Sequence, residues 1–196
     1  MAGKKNKTKI NVRTLTVTFL LAALLLFYFN HLSNKSAERR EKAHKTEIQN
    51  LIKYDMVNEY PKTPREVVKL HCRFQKEFYN QDMSDKELSD MNQQVRKLYS
   101  EELLEVNPEG NSLVALKNNI EKMEDEGYNY KSYELPQPSQ VKTYTSDGRE
   151  MAVMTVTLTI TIDDKMGYKD IEYVLVKENG RWKILGWADT QMLGDK

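Results

Sequence analysis

The sequence predicts an α+β chain: an N-terminal transmembrane helix and helical stalk, then three helices packed on an antiparallel sheet of about four to five strands. Three observations carry that reading. A charge-free apolar run fills residues 14–34, two capping boxes open amphipathic segments at Thr63 and Ser84, and the hydrophobic period changes from 3.6 to 2 after Gly127. Helices first and a strand meander second is the order of an α+β fold rather than of an alternating α/β one. A length of 196 residues fits one ordinary domain plus an anchor. With only 8 Gly and 5 Pro, and 39% hydrophobic residues, neither a collagen-like repeat nor a Pro/Gly-rich disordered chain fits. The single cysteine, Cys72, excludes an intrachain disulfide framework and any multi-cysteine metal site.

The anchor comes first in the chain. From Thr14 to Asn34 there is no Asp, Glu, Lys or Arg. At a rise of about 1.5 Å per residue, some 20 helical residues span the roughly 30 Å hydrocarbon layer. Lys4, Lys5, Lys7, Lys9 and Arg13 precede the run and no acid precedes Glu38, which leaves the N-terminus in the cytoplasm and the remainder outside. Phe27, Tyr28 and Phe29, followed by Asn30 and His31, read as the aromatic and polar edge of the membrane exit. A cleaved secretory signal would need a shorter apolar core and a small-x-small cleavage site, and neither is present. The expected division is a basic cytoplasmic tail at 1–13, a transmembrane signal anchor at 14–34, a helical stalk and linker at 35–62, an extracytoplasmic domain at 63–190 and a short tail at 191–196. The location is the plasma membrane, crossed once.

In the stalk, Glu38/Lys42 and Glu41/Lys45 have the acid-first i,i+4 order of a solvated helix. Ile48, Leu51, Ile52 and Met56 then form a short apolar stripe. It either packs on the domain or pairs with another copy; packing is favoured, because a sustained coiled coil needs three or four heptads.

The domain opens with Thr63-Pro64-Arg65-Glu66, a capping box with Pro at the first helical position. Val67, Leu70, Phe74 and Phe78 define that helix's buried face. Ser84-Asp85-Lys86-Glu87 opens a second helix carrying Leu88, Met91, Val95 and Leu98. Asn107-Pro108-Glu109-Gly110 reads as a turn, and a third helix from about Ser112 is expected to bury Leu113, Leu116, Ile120 and Met123 and to end at Gly127. Strands follow: one at Tyr128, Tyr130, Tyr133 and Leu135; one at 140–145; then, past the turn Ser146-Asp147-Gly148-Arg149, the clearest pattern in the chain. There Ala152, Met154, Val156, Leu158, Ile160 and Ile162 alternate with Val153 and four threonines, which is one buried and one polar face. Residues 163–167 read as a turn, Ile171, Tyr173 and Leu175 as the next strand, and Arg181–Trp187 as the last, after Glu178-Asn179-Gly180.

Three helices and a long meander ending in Gly-Arg-Trp-Lys-Ile-Leu-Gly-Trp resemble, over about residues 64–188, the curved cone of the nuclear-transport-factor-2-like (cystatin-like α+β) superfamily. The stretch Tyr60 to Leu70, with that ending and the anchor, more specifically resembles an uncharacterised single-pass membrane-anchored family of Clostridia-type bacteria. The resemblance implies helices packed into a strongly bent sheet. Its inside tail, single span and outside cone are also similar to scaffold subunits of conjugation and type IV secretion machines.

Enzymes of that superfamily carry Asp/His or Tyr/Asp pairs on inward strand positions, and this sequence departs from the pattern. The inward face of the strand from Ala152 to Ile162 has no ionisable group, and Ile171, Tyr173, Leu175, Trp182 and Ile184 add only one hydroxyl. The expectation is therefore no catalytic group, with no Asp, Glu or His lining an enclosed cavity within hydrogen-bonding reach of a second polar side chain. His71 facing Tyr173 would be the exception, since such a pair resembles general acid/base machinery. Adjacent to it, Cys72 invites a nucleophile reading, but neighbours on a helix point about 100° apart. No phosphate loop, H-E-x-x-H or EF-hand spacing occurs, so no cofactor or metal is expected. The acidic excess after residue 13 and the lack of a basic stripe argue against nucleic acid. The favoured function is a non-enzymatic, membrane-tethered interaction module, a scaffold or assembly component of a bacterial envelope, secretion or conjugation system. Its partners are the bilayer through residues 14–34 and a protein outside the cytoplasm, with a homo-oligomer through the stalk as a further option. The alternatives are a binder of a small apolar ligand in the cone and a weak isomerase or hydrolase. His71, Tyr128, Tyr130, Tyr173, Trp182 and Trp187 are the candidate pocket or interaction residues.

Overall fold

The computed structural model describes residues 12–163 and 165–190, with only the helical backbone described for residues 12–23, 31, 34 and 37. The basic tail through residue 11 and the tail at 191–196 lie outside the described residues, as do the side chains of the anchor's first half. The chain divides into two units, Met1–Lys45 and Thr46–Lys196.

Helix α1 runs from Val12 to Ile52. In the first unit, Leu24 to Phe29 are six consecutive large apolar side chains, each 63 to 77% exposed. Among the described residues no helix is long and apolar enough to cross a membrane. Helix α1 stops at Ile52, before Met56, the last residue of the apolar stripe. The Asp55 carboxylate accepts from the Val57 and Asn58 amides at 2.9 and 3.0 Å and so offers the backbone a local turn in place of a further helical one. Gln94 Nε2 then donates to the freed Ile52 carbonyl at 2.6 Å. The Ile48, Leu51 and Met56 stripe is buried in the core of the second unit, so it packs on the domain.

Helix α2, Pro64–Phe78, has the full capping box and Pro in its first turn. Its buried face holds Val67, Leu70, His71, Phe74 and Phe78, with Val68 and Cys72 beside it. Helix α3, Asp85–Arg96, has the second capping box and buries Leu88, Met91 and Val95. A short helix α4, Glu101–Val106, was not anticipated; it is opened by Ser100, whose hydroxyl accepts from the Leu103 amide at 3.1 Å. Helix α5 runs from Glu109 to Asp125 and so starts inside the expected turn, with Pro108 at its N-cap. Leu113, Leu116, Ile120 and Met123 are only half-buried there, and the Ser112 hydroxyl, bonded to Asn92 Oδ1 at 3.2 Å, is what ties the helix down at its start.

The five strands are β1 (Tyr128–Glu134), β2 (Lys142–Ser146), β3 (Arg149–Ile162), β4 (Lys165–Glu178) and β5 (Arg181–Asp189), all paired antiparallel in one curved sheet. The order is β1-β3-β4-β5, with β2 and β1 sharing one side of β3. Asp147 and Gly148, and Asn179 and Gly180, take positive φ and close two-residue hairpins, the conformation that Asx-Gly pairs favour. The turn expected at 163–167 is shorter, because Asp163 takes φ 47° and Ile162 already pairs with Lys165. A bulge between Tyr130 and Ser132 returns Tyr133 to the face of Tyr128 and Tyr130, and a second, opposite Val174/Leu175, leaves Leu185 as the extra residue on β5.

On β3, Ala152, Met154, Val156, Leu158 and Ile160 are buried as the alternation requires, whereas Ile162, at the hairpin end, is exposed. The sheet edges are treated differently. The Asn80 side chain pairs with both backbone groups of Tyr130, at 2.5 and 2.8 Å, and so acts as a strand residue on the β1 edge. Segment Leu98–Ser100 covers β5 through Ser100 N to Ile184 O (2.9 Å) and Ile184 N to Leu98 O (2.7 Å). Strand β2 is exposed at all five positions.

Candidate functional site

The capping box and the 3.6-residue period of α2 aim His71 into the sheet, where it is fully buried. Its Nδ1 lies 3.0 Å from the Tyr173 hydroxyl on β4, and its Nε2 lies 3.3 Å from both the Tyr99 hydroxyl and the Gln75 amide nitrogen. With the Gln75 amide donating to Nε2, that nitrogen is the acceptor and Nδ1–H donates to Tyr173. Trp187, paired with Tyr173 across β4 and β5, lays its ring 4.7 Å from the imidazole and covers the cluster from outside, itself 40% exposed.

His71 does face Tyr173, the pair the sequence singles out as the exception, and it reaches three polar side chains in all. The physical reason is the β4 register, which sets Tyr173 opposite Met154 on the inward face and under the third turn of α2. Tyr173 also bridges His71 to its neighbour, with Cys72 Sγ 3.9 Å from the same hydroxyl, despite the angle between adjacent helical residues.

Burial sets the chemistry of this cluster. It pushes the His71 imidazole down to about 3 and the Cys72 thiol up to about 11, and it raises Tyr99 and Tyr173 above the ordinary phenol range. At neutral pH all four groups are uncharged. A general acid or base works best with a pKa near the operating pH, and a thiol nucleophile works as thiolate; neither condition is met. The cluster is equipped to satisfy hydrogen bonds in a dry core.

The other candidate residues are dispersed. Tyr130 is buried, its hydroxyl without a hydrogen-bond partner among the described residues, and its ring lies edge-on to Tyr133. Tyr128 packs edge-on against Tyr79 at 6.0 Å, and burial raises its phenol to about 12. It lines a surface hollow of about 340 Å³ together with Tyr79, Asn80, Asp82, Glu124 and Lys131. Trp182 is half-buried at the opposite hairpin. Lys177 Nζ stands 5.7 Å from its ring, and its carbonyl accepts from the Tyr60 hydroxyl at 2.7 Å.

Tyr60, Tyr99 and Gln75 were missed by sequence reasoning. Tyr60 and Tyr99 fall outside the helices whose period was read, and Gln75 is one polar residue among several on α2. Tyr60 anchors a clasp. Arg181 and Lys183 each stand 4.9 Å from its ring, and Arg181 donates to the Met56 and Val57 carbonyls at 3.4 and 3.1 Å. A second hollow of about 410 Å³ adjoins the clasp, lined by Tyr54, Tyr60, Lys62, Lys69 and Arg73 among others. Neither hollow touches His71, Tyr99, Tyr173 or Trp187. Among the described residues no group of three His, Cys, Asp or Glu is placed to hold a metal.

Residues 1–187 match the model of a family described as a domain of unknown function, DUF6715, and the chain belongs to that family. No curated protein matches it. Among solved structures, it is similar to the NMR solution structure of a chain described as the transfer protein TraH, from the Gram-positive conjugative plasmid pIP501. The identity is 18% and the TM-score 0.37, over 67% of this chain and 94% of that one.

Proposed function

We propose that this member of the DUF6715 family is a non-enzymatic, membrane-tethered interaction module. In this reading residues 14–34 cross the plasma membrane with the N-terminus in the cytoplasm, and the nuclear-transport-factor-2-like domain holds a protein partner outside, in an envelope, secretion or conjugation assembly. The observation that carries the tether is the run Leu24–Phe29 on α1. Six large apolar side chains, exposed in succession on every face of a helix, have no favourable place in water. They lie within a segment free of Asp, Glu, Lys and Arg, behind a basic cluster. Support for a non-enzymatic role comes from the His71 cluster, which is sealed, uncharged and apart from both hollows. The packed interior, with Phe74, Phe78, Leu175 and Ile184 fully buried on the inward side, weighs against an apolar ligand held within the cone.

The test of the tether is a reporter fused after Lys196, together with alkaline extraction of membranes. Protein that stays in the membrane with the reporter outside is the expected result. A cytoplasmic reporter, or a mature chain beginning after residues 33–37, overturns the topology. For the non-enzymatic role, His71→Gln is expected to lower thermal stability; unchanged folding with abolished function in cells overturns it.

A further inference from the structure

With the Ile48, Leu51 and Met56 stripe consumed by the domain core, a stalk-mediated pairing has lost its apolar contact, and the open strand edge lies elsewhere. Asn80 pairs with Tyr130 on the β1 edge and Leu98–Ser100 with Ile184 on the β5 edge, whereas β2 is solvent-facing along its whole length. An uncovered strand edge is a template for another strand, and proteins commonly block it with bulges, prolines or charges. Between Lys142 and Ser146 there is neither a bulge nor a proline, and one charge, on Lys142.

The hairpin register fixes what this edge offers. The two-residue turn at Asp147-Gly148 makes Ser146 and Arg149 a hydrogen-bonded pair, and the alternation of an antiparallel ladder then turns the Tyr144 and Lys142 backbones toward β3 as well. Thr143 and Thr145 are left with their N–H and C=O groups pointing away from the sheet, with no backbone partner on that side among the described residues.

We infer that two copies of this chain pair through β2, antiparallel about a two-fold axis at Tyr144, joining their sheets into one. The register is self-complementary. Thr143 of one copy faces Thr145 of the other as a hydrogen-bonded pair, and the reverse, so all four outward groups on each strand are satisfied. Tyr144 then faces its own counterpart as a non-hydrogen-bonded pair, the arrangement with the closest side chains and a favourable one for aromatics. Tyr144 is 46% exposed, so both rings have surface to bury. Lys142 comes opposite Ser146 of the second copy and one position from its Asp147, placing a cation beside an anion twice across the axis. An isologous contact of this kind closes at two copies. It is small, in the class of weak and transient interfaces. The pairing stands independently of the membrane reading.

The test uses the full chain in detergent with Tyr144→Cys, since Cys72 is buried and does not compete. A directly opposed non-hydrogen-bonded pair has Cα atoms about 4.5 Å apart, within disulfide range. Mild oxidation is expected to give a covalent dimer about tenfold faster than an exposed control, Thr155→Cys, reflecting the raised effective concentration of a held pair. Adding Thr143→Pro deletes an outward N–H while leaving the β2–β3 ladder intact, and is expected to return the rate to that of the control. Lys142→Glu, which leaves the backbone untouched, is expected to slow it as well, and decides the matter if the proline variant does not fold. A cross-linking rate for Tyr144→Cys equal to that of the control overturns the inference. So does a fast dimer that survives both Thr143→Pro and Lys142→Glu, and so does cross-linking in cell membranes exclusively to a chain of different mass.

Discussion

Helices α2 and α5 have similar lengths, 15 and 17 residues, and both contact β1, yet they are built to different standards. Eight residues of α2 are buried, His71 and Glu77 among them, whereas α5 buries Ser112 alone. The start of α2 is fixed by a reciprocal capping box; that of α5 has no side-chain cap hydrogen bond. Hydrophobic residues at helical spacing are common to both. What differs is what each helix faces: α2 packs on β1 and β5 and reaches β4 through His71 and Tyr173, while α5 meets the sheet at β1. A periodic apolar stripe thus tells which face turns inward without telling how far in it goes.

Hollowing out each helix in turn is expected to separate them most. Phe74→Ala on α2 is expected to cost about 3–5 kcal/mol, and Leu116→Ala on α5 about 1 kcal/mol or less, by denaturant midpoints. Equal losses would show that both helices are core elements.

Acid acts on α2 through His71. The folded His71 pKa, about 3, lies below the ordinary value of 6.5, so between these pH values the unfolded chain carries a proton that the folded chain refuses. Stability from this residue is complete above about pH 6.5 and is lost progressively as the pH falls toward 3, by an amount on the order of a few kcal/mol. Denaturation curves at pH 7 and pH 4.5 for the parent and His71→Gln test this; the variant is expected to show the smaller loss. An identical pH dependence would mean that His71 is not held neutral by burial.

A smaller effect is expected at the helix starts. Thr63→Ala removes the acceptor for the Glu66 amide and is expected to cost about 1 kcal/mol in thermal or chemical unfolding. The smallest is the ion pair of Lys117 with Asp85, which joins α5 to the start of α3 at 2.5 Å in an exposed position; Lys117→Ala is expected to leave the denaturant midpoint nearly unchanged, with any difference shrinking at high salt. A larger loss there would mean that α5 is held by charge where it lacks burial.

The features legible in the sequence were those in which local chemistry and tertiary structure agree. Thr63 and Ser84 cap helices in any context, Asn179-Gly180 closes a hairpin by its own φ preference, and the Ala152–Ile160 alternation survives because one face of β3 is covered. The unread features depend on distant partners. Asn80 becomes a strand residue only because Tyr130 lies beside it, and Tyr99 reaches His71 only because Leu98–Ser100 runs along β5. Helix α4 is six residues long and buries none of them, so it leaves no periodic trace. Of the candidate residues, His71, Tyr173 and Trp187 do meet, through the β4–β5 register, while Tyr128 and Tyr130 belong to β1 and Trp182 to the far hairpin.

Both tryptophans of the chain sit on β5, five residues apart. Trp187 rests on an imidazole and Trp182 lies beneath an ammonium group, so their emission reports the seating of this one strand against α2 and β4. Ellipticity in the far ultraviolet, in contrast, is weighted toward the helices. Recorded on the same denatured samples, the two signals follow different parts of the chain. If β5 and the helices let go together, the curves superimpose, as a two-state unfolding requires. If β5 peels away first, the fluorescence midpoint falls at lower denaturant, and the domain's spectroscopic stability depends on which instrument is asked.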